Sequence, residues 1–252
     1  MSATTEKDEG GRSTIHWIGV ADTSALQQVA RNRILDAAAH AIVQRGIFLI
    51  VLAGGTTPAN IYRMLRTADT NWSRWQVYFG DERCLPADDA GRNSRMAADA
   101  WLEHVSIPPD QVHVLPAELG GEQAARAYAK TLRTAGEFDL VLLGLGEDGH
   151  TASLFPGHDW GVASNSPDVL AVFDAPKPPP QRVSLSARRL SRARAVLFLV
   201  EGETKRNAVA QWRKGADIPA RAIRPATGVD VLVEVSLLTT SIEKTRRPSD
   251  QP

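Results

Sequence analysis

The segment GEDGHTASLFPG, residues 146–157, holds the residues of this sequence that are best suited to catalysis. It contains one imidazole, His150, and a carboxylate two residues earlier, Asp148. The usual pKa of histidine, about 6.5, lies close to neutral pH, so a histidine can accept a proton from water as a general base. A loop histidine can also serve only to cap a helix or bond a neighbour. The position of His150 after the apolar run FDLVLLGLG and two glycines favours the catalytic interpretation.

A second segment with reactive side chains is GDERCLP, residues 80–86. Asp81 can orient a histidine or accept a hydrogen bond from a sugar hydroxyl, and Arg83 can make two parallel hydrogen bonds to a phosphate or a carboxylate. The alternative is an ion cluster at the protein surface. Cys84 lies beside these charges, and it is interpreted as a small buried residue rather than as a nucleophile.

A third segment, GGTTP, has the composition of an anion site at the start of a helix. Gly54 and Gly55 allow close approach of a ligand to the backbone, Thr56 and Thr57 add hydroxyl donors, and a helix N-terminus offers free N–H groups. The alternative is a tight turn between a strand and a helix, with Thr57 as the N-cap. The segment is neither a Walker loop nor a GxGxxG motif, so it predicts no nucleotide.

Composition and charge exclude several classes of partner. Lys plus Arg and Asp plus Glu both number 29, which predicts no nucleic acid partner. No apolar run approaches the roughly 18 residues of a membrane span, and the polar first residues lack the apolar segment of a signal peptide. With a single cysteine, the chain is expected in the cytoplasm. The histidines and acids show no spacing typical of a metal site, so neither a metal nor an organic cofactor is expected.

The three segments need a scaffold that brings them together, and the hydrophobic pattern predicts one. Apolar runs of strand length alternate with helical periodicity, which is typical of an α/β fold with a doubly wound, mostly parallel sheet and helices on both faces. In such a sheet ligands bind beyond the carboxyl ends of the strands, where the strand order reverses. The predicted strands are 15–20, 48–55, 75–83, 112–116, 138–146, 195–202 and a late strand from residue 229, and the clearest predicted helices are 24–46, 59–67, 93–105, 122–135 and 202–215.

The sequence shows neither an internal repeat nor a long linker. We therefore expect a single α/β domain over residues 14–242. Residues 1–13 and 243–252 are polar and are expected to be a disordered arm and a disordered tail. The proline-rich segment PKPPP, residues 176–180, is expected to be a rigid loop within the domain.

The motifs, taken together and in this order, resemble those of the 6-phosphogluconolactonase family, which is grouped with the glucosamine-6-phosphate isomerases. They are LAGGTTP, GDER with a following proline, LGLGEDGHTASLFPG, PKPPPQRVSLS and GETKRNAV, and they extend over residues 21–235. The DGHTASLFPG segment is the specific one, whereas GGTTP alone is weak. The resemblance implies the doubly wound fold shared with glucosamine-6-phosphate deaminase. It also implies hydrolysis of 6-phospho-D-glucono-1,5-lactone to 6-phospho-D-gluconate, the second step of the oxidative pentose phosphate pathway.

The same resemblance implies roles for particular residues. His150 matches the catalytic histidine, and Asp81 and Arg83 match active-site residues. Arg182 and Lys205 match basic residues near the substrate phosphate. Either Asp81 or Asp148 is expected to support His150, and the sugar-phosphate lactone is the expected partner, for a protein that is monomeric or a weak homo-oligomer.

Two features leave alternatives open. Many relatives carry Ser-Asn where this chain has Asn93 before Ser94, which leaves the role of Asn93 undetermined. The deaminase branch of the family carries a glutamate shortly after its histidine, whereas the fifth residue after His150 is Phe155. A deaminase-like enzyme and a sugar-phosphate-binding domain without turnover are therefore the two alternative functions.

Overall fold

The computed structural model of the protein describes residues 2–7 and 14–239. These residues form a mixed, mostly parallel sheet of eight strands and a separate antiparallel sheet of three. The strands are β1 (Ser2–Lys7), β2 (Thr14–Val20), β3 (Phe48–Leu52), β4 (Trp75–Phe79), β5 (Asp81–Arg83), β6 (Val112–His113), β7 (Leu140–Gly144), β8 (Val169–Val172), β9 (Arg182–Leu185), β10 (Val196–Val200) and β11 (Val229–Glu234).

The strand order of the large sheet places its switch point between β3 and β7. The order is β1-β2-β11-β10-β7-β3-β4-β6, and every pair is parallel except β1 with β2. From β3 the chain moves outward through β4 to β6, then returns to the other side of β3 and moves outward through β7, β10 and β11. The crevice for a ligand in a doubly wound sheet lies where this reversal occurs, at the carboxyl ends of the strands.

Helices on both sides of the large sheet cover its apolar strands. The longest, α1, begins after Asp22, whose side chain accepts a hydrogen bond of 2.8 Å from the backbone N–H of Ala25, and ends at Gly46 in the left-handed region with a φ of 76°. This agrees with the predicted helix and its glycine cap. The α-helices are α1 (Thr23–Arg45), α2 (Thr56–Leu65), α3 (Asn93–Ala100), α4 (Gly121–Thr131), α5 (Ala187–Ser191), α6 (Arg206–Arg213) and α7 (Val235–Leu238).

The small sheet, in the order β5-β9-β8, was not expected from the sequence. Residues 75–83 were predicted as one strand, but the chain leaves the large sheet after Phe79 and joins the small one at Asp81. Gly80 lies between the two, where its N–H donates to the carbonyl of Leu52 and its carbonyl accepts from the N–H of Leu185. One residue therefore links both sheets and turns the acidic segment toward the carboxyl ends of the large sheet.

The predicted disorder of residues 1–13 is wrong for Ser2–Lys7, which pair antiparallel with β2. Glu6 explains part of this, because its carboxylate accepts a hydrogen bond of 2.8 Å from the indole of Trp17 and bonds of 3.0 and 3.1 Å from Arg213. The late strand was predicted over VDVLVEVSLL, residues 229–238, but it ends at Glu234 and the chain continues as α7. The rest of the predicted arm and the predicted tail lie outside the described residues.

Candidate active site

The three predicted segments meet in one cavity at the carboxyl ends of β3, β4 and β7, called here the carboxyl-end cavity. Its volume is about 360 Å³. The glycines after β3, the start of β5 and the loop after β7 each contribute to its lining. The site residues that it brings together are Gly54, Gly55, Asp81, Arg83, His150, Arg182 and Lys205.

Asp148, rather than Asp81, holds the imidazole of His150. The Nδ1 atom of His150 lies 2.5 Å from Oδ1 of Asp148, which also accepts the backbone N–H of His150 at 3.1 Å. Burial raises the pKa of the Asp148 carboxyl, but the hydrogen bonds from His150 and the charge interaction with it together leave the pKa below its usual range. Because an ionised carboxylate only accepts hydrogen bonds, it fixes the proton on Nδ1 and leaves the lone pair on Nε2.

The loop after β7 positions this ring through its glycines. A Cβ atom on Gly146 would lie 1.9 Å from Nδ1 of His150, so no side chain can be accommodated there. Gly149 has a φ of 84°, and a Cβ atom on it would lie 2.8 Å from the side chain of Ile218. The imidazole also packs against the buried ring of Phe155, with 4.8 Å between the ring centroids. Both glycines are thus needed to leave room for the histidine and its loop.

Asp81 belongs to a buried hydrogen-bonded group, called here the Asp81 cluster, which consists of Asp81, Asn93 and Ser153. The Nδ2 atom of Asn93 donates to Oδ1 of Asp81 at 3.1 Å and to its backbone carbonyl at 3.0 Å. The hydroxyl of Ser153 donates to Oδ2 of Asp81 at 2.6 Å. Asn93 also lies against Gly54, where a Cβ atom would meet its Oδ1 at 2.0 Å. The cluster therefore joins the segments after β3, β4 and β7.

Glu82 anchors the Asp81 cluster to helix α3. Its fully buried carboxylate accepts the backbone N–H groups of Arg83, Asn93 and Ser94 at 2.9, 2.7 and 2.8 Å. A carboxylate at a helix N-terminus satisfies free N–H groups and interacts favourably with the helix dipole. The buried guanidinium of Arg92 forms an ion pair with it, with 3.4 Å between Nε and Oε2. Glu82 is thus a structural residue that fixes where Asn93 stands.

The carboxyl-end cavity is strongly cationic. Among the described residues, its lining has four basic side chains and one carboxylate, that of Asp81. Two of the basic residues, Arg83 and Arg182, are directly opposite each other in the β5–β9 pair, where like charges repel. An anion bound between such side chains gains charge-assisted hydrogen bonds and relieves that repulsion. The basic residues are Arg83, Lys177, Arg182 and Lys205.

Lys205 stands on a short 3₁₀ helix, Glu203–Lys205, which follows β10. Burial lowers the pKa of its ammonium group and the nearby Lys177 lowers it further, while Glu147 and Asp148 act in the opposite direction. Lys177, Lys205 and His150 all line the carboxyl-end cavity, so an anion bound by the two lysines would lie in the same cavity as the histidine. A phosphate held by the lysines would therefore keep the rest of a sugar close to His150.

Arg182 is buried, and most of its donors are directed at the proline-rich loop. Its Nη2 atom donates to the carbonyls of Lys177 at 3.0 Å and Pro178 at 3.3 Å, and its Nε atom donates to that of Pro179 at 3.2 Å. The guanidinium also lies 5.5 Å from the ring centroid of Phe155. Arg182 therefore fixes the loop that brings Lys177 to the cavity.

The two threonines of GGTTP lie elsewhere. Among the described residues, those that line the cavity include Gly54 and Gly55 but neither Thr56 nor Thr57. The hydroxyl of Thr57 donates to Glu201 at 2.5 Å, and the residue before α2 is Gly55, with a φ of 109°. Thr57 thus fits the structural alternative, although Gly55 occupies the N-cap, whereas Gly54 and Gly55 do line the cavity.

Sequence reasoning missed Ser153 and Lys177 and left Asn93 undetermined. Ser153 and Lys177 do lie inside quoted motifs, DGHTASLFPG and PKPPP, but Ser153 bonds to Asp81, 72 residues away in the chain. Cys84 does not line the cavity within the described part of the chain, and burial raises its thiol pKa, which opposes a nucleophilic role.

Within residues 2–7 and 14–239, no group of three or more His, Cys, Asp or Glu side chains has the arrangement of a metal site. No helix in these residues is both long and apolar enough to span a bilayer. The expectation that no metal or cofactor takes part stays a prediction.

Known proteins share both the sequence and the fold of this chain. A sequence profile described as glucosamine-6-phosphate isomerases/6-phosphogluconolactonase matches residues 21–232. The 6-phosphogluconolactonase of Mycobacterium tuberculosis is 40% identical over 210 residues, which cover 78% of this chain and 85% of that protein.

Solved structures agree with these sequence matches. The 6-phosphogluconolactonase of Thermotoga maritima superposes with a TM-score of 0.79 at 28% identity, covering 87% of this chain and 98% of that one. A monomeric glucosamine-6-phosphate deaminase superposes with a TM-score of 0.77 at 21% identity, covering 88% of this chain and 98% of the other, and at that identity it shows the fold alone. The predicted resemblance and the predicted doubly wound fold are confirmed.

Proposed function

The chain belongs to the glucosamine-6-phosphate isomerase/6-phosphogluconolactonase family, and we propose that it hydrolyses 6-phospho-D-glucono-1,5-lactone to 6-phospho-D-gluconate with His150 as general base. Lactone hydrolysis, the activity that the motifs predicted, agrees with the names of its relatives. The observation that carries the mechanism is the pairing of Nδ1 of His150 with Asp148 beside a cationic cavity.

The chemistry follows from this geometry. The Nε2 atom of His150 accepts a proton from a water molecule as the water oxygen bonds to the lactone carbonyl carbon. Asp148 stabilises the resulting imidazolium through the 2.5 Å hydrogen bond at Nδ1. The tetrahedral intermediate then collapses, the bond between the carbonyl carbon and the ring oxygen breaks, and the imidazolium returns the proton to that oxygen. Water and lactone give an open-chain acid, and no covalent intermediate with the protein is required.

The substrate phosphate supplies a binding handle away from the reacting carbon. Arg83, Lys177 and Lys205 offer positive charge to a phosphate dianion, and Gly54 and Gly55 offer backbone close to the ligand. Arg182 contributes charge to the same cavity while it holds the proline-rich loop. Binding energy from the phosphate fixes the lactone carbon near His150, which raises the rate of attack as well as affinity.

The experiment that tests the function generates the lactone in place. A dehydrogenase produces the phosphorylated lactone from the sugar phosphate, and release of acid is followed with and without this protein. We expect acid to form well above the spontaneous rate, and release of ammonia from glucosamine-6-phosphate to stay at background. A rate equal to the spontaneous one would instead favour a binding domain without turnover.

Three further features of the proposal await their own measurements. A cytoplasmic location is tested by cell fractionation, and a monomeric or weakly self-associating state by analytical ultracentrifugation. Catalysis without a metal is tested by exhaustive chelation, after which we expect the activity to be unchanged. Recovery of a lost activity on addition of zinc would show that His150 does not act as a metal-free base.

A further inference from the structure

We propose that Asp81 accepts a hydrogen bond from a ring hydroxyl of the substrate, and that Asn93 and Ser153 are positioning residues that fix its carboxylate for this task. The inference rests on the proposed function. It adds two residues to the site and gives Asp81 a part separate from that of the histidine pair. The starting point is that each carboxylate oxygen of Asp81 already accepts one hydrogen bond from the protein.

The two donors fix the carboxylate without saturating it. An ionised carboxylate has about four lone-pair sites. Asn93 and Ser153 each occupy one, at 3.1 and 2.6 Å, and both residues are buried. Asp81 itself is only 7% exposed but lines the cavity, so its remaining acceptor capacity is directed at a bound ligand.

The chemistry of the ligand then determines which of its groups can donate a hydrogen bond to Asp81. A carboxylate accepts hydrogen bonds and repels a phosphate, so the phosphate lies at the basic side chains and a hydroxyl lies at Asp81. The nitrogen Nδ1 of His150 is held by Asp148, so Asp81 is not needed to orient the imidazole. Asp81 therefore selects for the hydroxylated ring and orients it, whereas His150 acts on the water.

The positions of the two donors are fixed from outside the cluster. The backbone N–H of Asn93 is held by Glu82 at 2.7 Å, and that of Ser153 lies 3.3 Å from the hydroxyl of Ser184. Substitution of either donor side chain by alanine therefore leaves its backbone anchor in place. This separates the loss of one hydrogen bond to Asp81 from a general disturbance of the fold.

The test compares Ser153→Ala, Asn93→Ala and Asp81→Asn with Ser186→Ala, a control that removes a buried serine hydroxyl at the N-cap of α5, away from the cavity lining of the described residues. Each variant is first shown to be folded by circular dichroism. The kinetic constants are then measured on the phosphorylated lactone and on a series of analogues that each lack one ring hydroxyl. We expect kcat/KM on the parent lactone to fall about 10–100-fold in the three cluster variants, the range for a charge-assisted hydrogen bond, and to be unchanged in the control.

The analogues give the decisive readout. For the wild-type protein, one analogue should show the same low kcat/KM that Asp81→Asn shows on the parent lactone. On that analogue, Asp81→Asn and the wild-type protein should have equal kcat/KM, because the hydrogen bond is already absent. Ser153→Thr, which keeps a hydroxyl, should recover most of the activity lost in Ser153→Ala. The acidic limb of the pH profile should be the same in Ser153→Ala as in the wild type, because the histidine pair is intact.

Two outcomes would overturn the inference while leaving the proposed function standing. One is wild-type kcat/KM in folded Ser153→Ala and Asn93→Ala proteins. The other is an equal loss in Asp81→Asn for the parent lactone and for every analogue, which would show that Asp81 meets no ring hydroxyl. Failure of the wild-type protein to hydrolyse the parent lactone would count against the proposed function itself.

Discussion

The cavities at the two ends of the large sheet differ in how their charged side chains are paired. The carboxyl-end cavity has a volume of about 360 Å³, whereas a cavity at the amino ends of β3, β4 and β7, called here the amino-end cavity, has about 490 Å³. In the amino-end cavity Arg45 and Arg194 lie 2.5 and 3.4 Å from the carboxylate of Asp139, and Arg194 also lies 3.1 Å from Glu137. Its basic groups are neutralised by the protein.

In the carboxyl-end cavity the basic side chains are not neutralised in this way. Within the described residues, none of the four basic side chains that line that cavity forms an ion pair with a carboxylate. Positive charge that the protein leaves unpaired in a concave site favours an anionic ligand. Each cavity also has a histidine, but His150 is paired with a carboxylate, whereas His113 lies 2.6 Å from the amide oxygen of Gln76 and stacks on Tyr78. Unpaired charge and histidine pairing therefore separate the candidate site from a structural cavity.

The largest test of this comparison replaces each histidine in turn. We expect His150→Ala to lower kcat about 10²–10⁴-fold, the usual contribution of general-base assistance, while His113→Ala stays near the wild-type kcat. Both proteins should remain folded by circular dichroism, since neither imidazole belongs to the apolar core. A background-corrected kcat for His150→Ala close to that of the wild type would remove His150 from the mechanism.

The second test replaces one basic residue from each cavity. Lys205→Ala should lower kcat/KM on the phosphorylated lactone about 10–100-fold, because a charge-assisted contact is worth about 1.5–3 kcal/mol. The same variant should change kcat/KM on unphosphorylated glucono-1,5-lactone much less. Arg194→Ala is the control and should leave both substrates unaffected. An equal loss of kcat/KM on both lactones in Lys205→Ala would show that this lysine does not bind the phosphate.

The sequence predicted the strands and helices that position this site more fully than the hydrogen bonds within it. Runs such as FLIVL and VLFLV are apolar on both faces, so their place in a covered parallel sheet could be predicted locally. The strand Ser2–Lys7 could not be predicted in this way, because its sequence SATTEK has no apolar alternation. It is a strand because it pairs with the free edge of β2.

The site contacts that the sequence could not predict are also made between residues far apart in the chain. His150 could be predicted because it follows an apolar run and two glycines in one local motif, and Asp148, two residues earlier in that motif, became a candidate with it. The donors to Asp81 come from residues 12 and 72 positions away, and no spacing rule links them. Thr57 was expected to face a ligand because it carries a hydroxyl. That hydroxyl instead donates a hydrogen bond to Glu201, which directly follows β10. Long-range partners decide which polar groups are left for a substrate.

A third test asks whether Arg182 acts on substrate through the proline-rich loop. Arg182→Lys keeps the charge but loses the fork that reaches the carbonyls of Lys177, Pro178 and Pro179. We expect about a tenfold loss of kcat/KM on the phosphorylated lactone from Arg182→Lys and a similar loss from Lys177→Met. In the double variant the losses should not add, since the first substitution already misplaces the second residue. Additive losses would mean that Arg182 contacts the substrate independently of the loop.

The smallest expected effect is a pH dependence that only the carboxyl-end cavity should show. Burial, reinforced by Lys177, lowers the pKa of Lys205 from its ordinary value of 10.5, so its ammonium loses its proton at a lower pH than an exposed lysine does. The group is charged below that lowered pKa, and its attraction for a phosphate is lost as the pH rises through it. Binding of 6-phosphogluconate, measured by calorimetry, should therefore weaken a few-fold on the alkaline side before pH 10.5 is reached.

Lys205→Arg provides the matched control, because a guanidinium stays charged throughout this range. Its affinity for 6-phosphogluconate should be level with pH where that of the wild-type protein declines. The effect is small because the other basic residues of the cavity keep most of the positive charge. If the wild-type and Lys205→Arg proteins lose affinity in parallel as the pH rises, the decline comes from another group and Lys205 is not the titrating contact of the phosphate.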